Sequence, residues 1–259
     1  MLLALDVGNT EITVGLFRGE ELTAHWRLTT HPDRTPDEWA GALEVFLQHA
    51  GHSPNEVRAA ILASVAPMVT QAVAEGVSKS TGLTPRAVGP ETPLPVRLDV
   101  DEPLSVGADR IINVLAAAAL YRADAIIVDF GTATTFDCLT ADGRFIGGVI
   151  MPGLRTSADQ LVRRTAKLPA TELKAPPRVI GRRTEECIQA GVLYGTADAV
   201  DGIVRRIREE WPGGGRPIVV ATGGLAAQIA PYARSIEQIE PDLTLRGLAL
   251  AARHLGLPE

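Results

Sequence analysis

The sequence predicts an α/β fold built as two halves of similar plan, and three observations point there. At residues 2 to 17, LLALDVGNTEITVGLF, an apolar strand pattern ends in aspartate and runs through a polar glycine turn into a second strand. A near-copy, AIIVDFGTATTFDCL, recurs at 125 to 139. Each copy is followed by alternating helical and strand patterns, with no long linker between them. With an offset of 123, Asp6 matches Asp129, Gly8 matches Gly131, and Asn9-Thr10 matches Thr132-Ala133. The halves are expected at 1–115 and 116–259, facing a cleft, with the final helix at about 244–256 packing back on the first half. Clefts of this kind are where ligands bind.

In chain order, residues 2–6 and 12–17 read as strands joined by a tight turn at Gly8 to Thr10, and ELTAHWRLTT (21–30) completes a meander. TPDEWAGALEVFLQHAG (35–51) is a helix, with Thr35 as N-cap and Pro36 at its first position. Trp39, Leu43, Phe46 and Leu47 form its apolar face, and Gly51 is its stop. AAILASVAP (59–67) is a buried strand, MVTQAVAEGVSKSTG (68–82) a helix, and TPRAVGP a short strand. SVGADRIINVLAAAALYRA (105–123) enters a long alanine-rich helix. The second half repeats the hairpin, adds the strand GRFIGGVIMPG (143–153), and continues into a helix with a glycine interruption over 184–211. PIVVATGG (217–224) is a strand running into a glycine turn, and LTLRGLALAARHLG closes the chain as a helix.

Composition narrows the function. The chain has 259 residues, is 46% hydrophobic and carries a formal net charge of -6, enough apolar material for compact cores. Basic residues are scattered, and short clusters such as RRIR (205–208) fall inside an amphipathic pattern, which argues against nucleic acid as the main partner. Lysine occurs only at 79, 167 and 174. No G-x-x-x-x-G-K-[ST] and no G-x-G-x-x-G after the first strand is present, so a P-loop and a dinucleotide fingerprint are both excluded. Cys138 and Cys187 lack metal-ligand spacing and read as buried small hydrophobes. The longest uncharged apolar run, IINVLAAAALY, is too short to span a bilayer. The start of the chain enters a strand pattern at once, with no leader pattern. No membrane partner and a cytoplasmic, reducing setting are the expectation.

A turn of Gly8, Asn9 and Thr10 lets backbone approach a ligand closely, and its N–H groups form an anion nest. The aspartate before it cannot attract phosphate; its fitting job is to hold Mg²⁺, directly or through water, beside bound phosphates. Either turn alone also reads as a plain hairpin. Two such turns in duplicated halves, with VVATGG ending a late strand, fit two phosphate clamps and a nucleoside shelf. In GADR (107–110), Asp109 offers a carboxylate and Arg110 a cation at the mouth of a helix; a first-turn carboxylate favoured by the helix dipole is the alternative reading. Thr184 fits the N-cap of the helix it opens.

DVGNT (6–10), ASVAP (63–67), VGADR (106–110), DFGTATT (129–135), GGVIMPG (147–153), TAKLP (165–169), TEECIQAGVLYG (184–195), ATGG (221–224) and PDLTLRGL (241–248) resemble, in order and spacing, the blocks of the type III pantothenate kinase family. That family lies within the acetate and sugar kinase, heat-shock ATPase and actin superfamily. The resemblance covers essentially the whole chain. It implies two ribonuclease H-like (actin-like ATPase) domains around an ATP cleft, and ATP-dependent phosphorylation of pantothenate; a non-catalytic regulatory protein of the same fold is the alternative. By resemblance, Asp109 is the proton acceptor, and Gly107, Ala108, Asp109 and Arg110 contact pantothenate. Asp6, Val7, Gly8, Asn9, Thr10, Glu11, Ile12 and Thr13 bind ATP with Thr132, Gly223 and Gly224. Asp129 holds a monovalent cation, K⁺ or NH₄⁺, and Thr184 reaches the substrate of the neighbouring subunit in a homodimer. One departure is Val100, where many members carry a tyrosine against pantothenate.

Overall fold

The computed structural model describes residues 1–258, which divide into two compact units. The first comprises Met1–Leu120 and the chain from Leu243 onward, the second Tyr121–Asp242.

In the first unit, β1 (Leu2–Val7), β2 (Glu11–Arg18) and β3 (Glu21–Thr29) form the antiparallel meander. Helix α1 (Pro36–His49) leads to β4 (Ala59–Ser64), which pairs parallel to β1, and α2 (Pro67–Thr81) leads to β5 (Arg86–Val88), parallel to β4. The strand order is β3-β2-β1-β4-β5. The two-residue strand β6 (Arg97–Leu98) and helix α3 (Ala108–Tyr121) follow. Side chains alternate along a strand, and both faces of this sheet are covered. Leu3, Leu5 and Val7 pack with Trp39, Leu43 and Leu47 of α1 and Val69 and Val73 of α2. Leu2, Ala4 and Ala63 pack with Ala108 and Ile112 of α3 and Leu245 and Leu248 of the chain's last helix. Asp6 shares the alternation of Leu2 and Ala4, so it lies on the α3 side. Thr35 is the N-cap of α1, as its sequence predicts, and forms a capping box with Glu38.

The second unit repeats the plan. β7 (Ala125–Phe130), β8 (Ala133–Leu139) and β9 (Arg144–Pro152) form the meander. Helices α4 (Leu154–Arg164) and α5 (Thr184–Glu209) precede β10 (Ile218–Thr222), parallel to β7, and α6 (Ala226–Ile229) precedes β11 (Gln238–Ile239), parallel to β10. These five strands run β9-β8-β7-β10-β11, the order of the first unit element for element. Ile126, Val128 and Phe130 pack with Leu154 of α4, Leu193, Ala197 and Val200 of α5, and Ile229 of α6. The last helix, α7 (Leu243–His254), belongs to the first unit.

Several sequence expectations need correction. Helix α5 is continuous through Gly191, Gly195 and Gly202; a Cβ added at any of these meets nothing within 4 Å, and the buried residues between them hold the helix. Arg183, not Thr184, is the N-cap residue, without a side-chain cap bond. Cys187 is exposed, because the inward face of α5 is taken by Glu186, Ile188, Gln189 and Ala190; Cys138 is buried. The eleven-residue helix α4 was not predicted. Its only buried residues are Leu154 and Ala158, too sparse an apolar stripe to mark it. Among the described residues no helix is long and apolar enough to cross a membrane.

Candidate active site

Within each unit the aspartate-glycine turn stands at the carboxyl ends of a parallel strand pair, the usual place for ligands in open α/β sheets. The first turn is pinned from two sides. Thr30, just past β3, donates its hydroxyl to Gly8 O (2.7 Å) and its N–H to Thr10 O (2.9 Å). At the end of β4, Val65 N–H donates to Val7 O (3.1 Å). Val7 and Ile12 are buried and Thr13 is partly so, which anchors the hairpin, while Asn9, Thr10 and Glu11 are exposed. Gly8 N–H closes the turn onto Glu11 O, and Gly131 N–H closes the second onto Ala133 O, both at 3.1 Å. Those two amides are spent internally, so the expected anion nest does not include them.

In the second unit Thr132 is exposed. Its carbonyl accepts from Thr156 Oγ1 of α4 (2.6 Å) and from Gly153 N–H (3.2 Å), so the GGVIMPG block buttresses the turn. Asp129, near the end of β7, is flanked in register by Thr222 on β10 and Thr135 on β8. Gly223 has φ +90°, a conformation that favours glycine, and a Cβ there would clash with Asp129 Oδ1 and the Phe130 backbone. Gly224 is exposed beside it. Thr222 is 1% exposed, and among the described residues its Oγ1 has no hydrogen-bond partner.

GADR opens α3. Ala108 is buried and is the first helical residue. Asp109 keeps part of its surface open yet is densely surrounded by protein, and this burial pushes its carboxyl above the ordinary aspartate value. The shift is opposed by Arg110, whose N–H donates to Asp109 Oδ1 at 2.8 Å and whose guanidinium adds a favourable charge. A Cβ on Gly107 would sit 2.5 Å from Asp109 Oδ1 and 3.3 Å from Val65 Cγ1. Glycine is therefore what leaves room for the carboxylate, and ASVAP forms its wall. Val100 is partly exposed in the loop after β6.

Thr184, at the first position of α5, is exposed. The stretch before it is held by Glu186, which sequence reasoning missed. Its Oε2 accepts from Arg182 N–H (2.9 Å) and its Oε1 from Arg183 Nε (3.0 Å). These contacts, the backbone one foremost, hold the Glu186 carboxyl below the usual range. The signal available in sequence was its place in the first helical turn, where a carboxylate suits the dipole.

Hard cations fit the aspartates. Among the described residues no group of three or more His, Cys, Asp or Glu side chains forms a metal cage. Each turn offers one carboxylate beside a turn suited to phosphates, the donor set Mg²⁺ takes when it keeps water and phosphate oxygens as its other ligands. At Asp129 the carboxylate and the unpartnered Thr222 oxygen beside it in register fit a cation as well.

Paired sheets of matching order, each carrying a polar turn at the ends of its parallel strands, define the actin-like ATPase fold. The activator of the 2-hydroxyisocaproyl-CoA dehydratase from Clostridium difficile, solved with bound ADPNP, has the same fold: TM-score 0.59 at 13% identity, over 100% of this chain and 98% of that one. The model of the type III pantothenate kinase family matches residues 2–206. The type III pantothenate kinase of Moorella thermoacetica is 46% identical over 96% of this chain and 98% of its own length. That of Thermomicrobium roseum is 47% identical over 97% of this chain and 96% of its own. The chain belongs to the type III pantothenate kinase family.

Proposed function

We infer that the chain catalyses its family's reaction, the ATP-dependent phosphorylation of pantothenate to 4′-phosphopantothenate, the first step of coenzyme A synthesis. The observation that carries the assignment of roles is Asp109, a carboxylate of raised pKa set at the mouth of α3 in a position that a side chain on residue 107 would take from it. In this reading Asp109 takes the proton from the primary hydroxyl of pantothenate. The hydroxyl oxygen bonds to the γ-phosphorus, the bond from that phosphorus to the β-bridging oxygen breaks, and ADP leaves. Gly107, Ala108, Arg110 and Val100 contact pantothenate. Asp6 to Thr13 in the first unit, and Thr132, Gly223 and Gly224 in the second, bind the nucleotide. Mg²⁺ beside Asp6 and a monovalent cation beside Asp129 neutralise phosphate charge when bound.

A homodimer in which Thr184 serves the partner's substrate is part of the reading. The apolar residues of α5 do not supply the dimer face: Leu193 and Val200 belong to the second unit's own core, Val192 packs against it, and Ile188 is buried. What supports it is the loop just before Thr184. Val179 and Ile180 are 68% and 84% exposed there, and with Arg178 and Arg182 they line an open cavity of about 460 Å³. A cytoplasmic location fits the two free thiols.

The test is a coupled assay for ADP with purified protein, ATP and Mg²⁺. ADP release should require pantothenate and rise with K⁺ or NH₄⁺. Release of ADP at the same rate without pantothenate would identify a nucleotide hydrolase instead.

A further inference from the structure

The two duplicated sheets differ at one position beside their aspartates. In the first unit, Asp6 is flanked in register by Thr13 on β2 and Ala63 on β4. In the second, Asp129 is flanked by Thr135 on β8 and Thr222 on β10. Register partners project to the same face of a sheet, with strands about 4.8 Å apart. Thr222, Asp129 and Thr135 therefore form a row of oxygens across three strands, whereas the first unit's row ends in a methyl group. Thr135 donates its hydroxyl toward Asp137 Oδ2 (3.4 Å), which leaves its lone pairs directed elsewhere. Thr222 is 1% exposed and its Oγ1 meets no partner among the described residues. A buried hydroxyl left unsatisfied costs stability, so a retained one calls for a ligand.

We propose that the Thr222 hydroxyl is a ligand of the monovalent cation at Asp129, and that this hydroxyl is what distinguishes the second turn from the first. The proposal rests on the reading that Asp129 holds such a cation. Three features favour a monovalent cation as the ligand. A phosphate oxygen against Thr222 would face the Asp129 carboxylate, which repels it. A divalent ion would be left under-neutralised by one carboxylate and neutral oxygens: no group of three or more acidic, His or Cys side chains gathers there, and the neighbouring Asp137 carboxylate is engaged by the Thr135 hydroxyl. One carboxylate with one or two neutral hydroxyl oxygens balances a single positive charge. Gly223, at φ +90° and without a side chain, packs directly against Asp129 Oδ1 and the Phe130 backbone, so the carboxylate keeps a position that any Cβ there would take from it.

The test compares wild type with Thr222→Val, Thr222→Ala, Thr222→Ser and Asp129→Asn, each saturated with Mg²⁺ and ADPNP. KCl is titrated against choline chloride at constant ionic strength. The readouts are the thermal unfolding midpoint and the ²⁰⁵Tl⁺ resonance of the bound ion. Thr222→Val should raise the half-saturating K⁺ concentration roughly tenfold, the scale of losing one supporting contact at a metal site. Thr222→Ser should stay near wild type, and Asp129→Asn should abolish the response. In choline alone Thr222→Val should unfold no earlier than wild type, since it loses only a hydroxyl without a partner. Thr222→Ala, carrying the residue that the first unit tolerates at Ala63, gives the same reading if valine disturbs folding. Unchanged K⁺ affinity in the valine and alanine variants, with Asp129→Asn defective, would overturn the role of Thr222 and leave the Asp129 site standing. A wild type that binds neither K⁺ nor Tl⁺ would overturn the Asp129 reading and this one together.

Discussion

In the proposed reading, folding and catalysis pull in opposite directions at Asp109. Burial raises its pKa, so between the ordinary aspartate value and the raised one the folded protein holds a proton that the unfolded chain has released. Stability therefore falls as pH rises through that window and stays lower above it, where the ionised base is needed. Asp109→Asn should lower turnover by about 10²-fold or more while ATP still binds. The same variant should unfold at a higher temperature than wild type at neutral pH. A variant that is both inactive and less stable would mean that the carboxylate is structural. The acid limb of kcat/KM should lie above the ordinary aspartate range; a limb at the ordinary value would remove Asp109 as the base. Gly107→Ala is the companion test, since its Cβ would lie 2.5 Å from Asp109 Oδ1 and must swing the carboxylate aside. The protein should fold and retain ATP affinity, with kcat reduced. Normal kcat would show that the carboxylate's position is not critical.

At the scale of elements, α5 shows how its start is fixed. Glu186 ties Arg182 and Arg183 to its first turn, and Thr184 follows directly. Glu186→Gln should leave the fold intact, loosen that stretch and raise KM for pantothenate severalfold with KM for ATP unchanged; steady-state kinetics in both substrates checks it. Because the Glu186 carboxyl is held below the usual range, its contribution is present above the unfolded value and is lost as pH falls through the lowered one. None of this was legible in the sequence, because a first-turn glutamate looks the same whether it faces water or a returning loop. The hairpins and the α1 N-cap were legible, since strand alternation, a glycine turn and a Thr-Pro start are local signals. The continuity of α5 and the exposure of Cys187 were not: the first is decided by which residues between the glycines are buried, the second by which face of the helix meets the core. Thr222 stood inside a quoted motif, but its lack of a partner is a property of packing.

At the scale of the whole molecule, the chain uses one plan twice and then diverges at the places that matter for chemistry. Both units run a meander, a parallel crossover and a further parallel strand in the same order. Ala63 occupies the position equivalent to Thr222, and only the first unit carries GADR, which follows β6. That division leaves Thr184, on the second unit and exposed, without a role inside its own chain that its local contacts explain. If it completes the partner's substrate site, two-fold symmetry places one such completion at each of two sites. Co-expression of Thr184→Val and Asp109→Asn subunits with separable tags yields heterodimers in which one site carries both lesions and the other neither. At pantothenate well below the KM of Thr184→Val, where both parents are weak, purified heterodimers should recover roughly half of the wild-type rate, and a random mixture roughly a quarter, by the symmetry of the assembly. Each parent homodimer should stay impaired, Asp109→Asn in kcat and Thr184→Val in KM for pantothenate. Heterodimers matching the average of the parents would place Thr184 at its own chain's site, and a monomer by sedimentation under assay conditions would remove the shared site altogether.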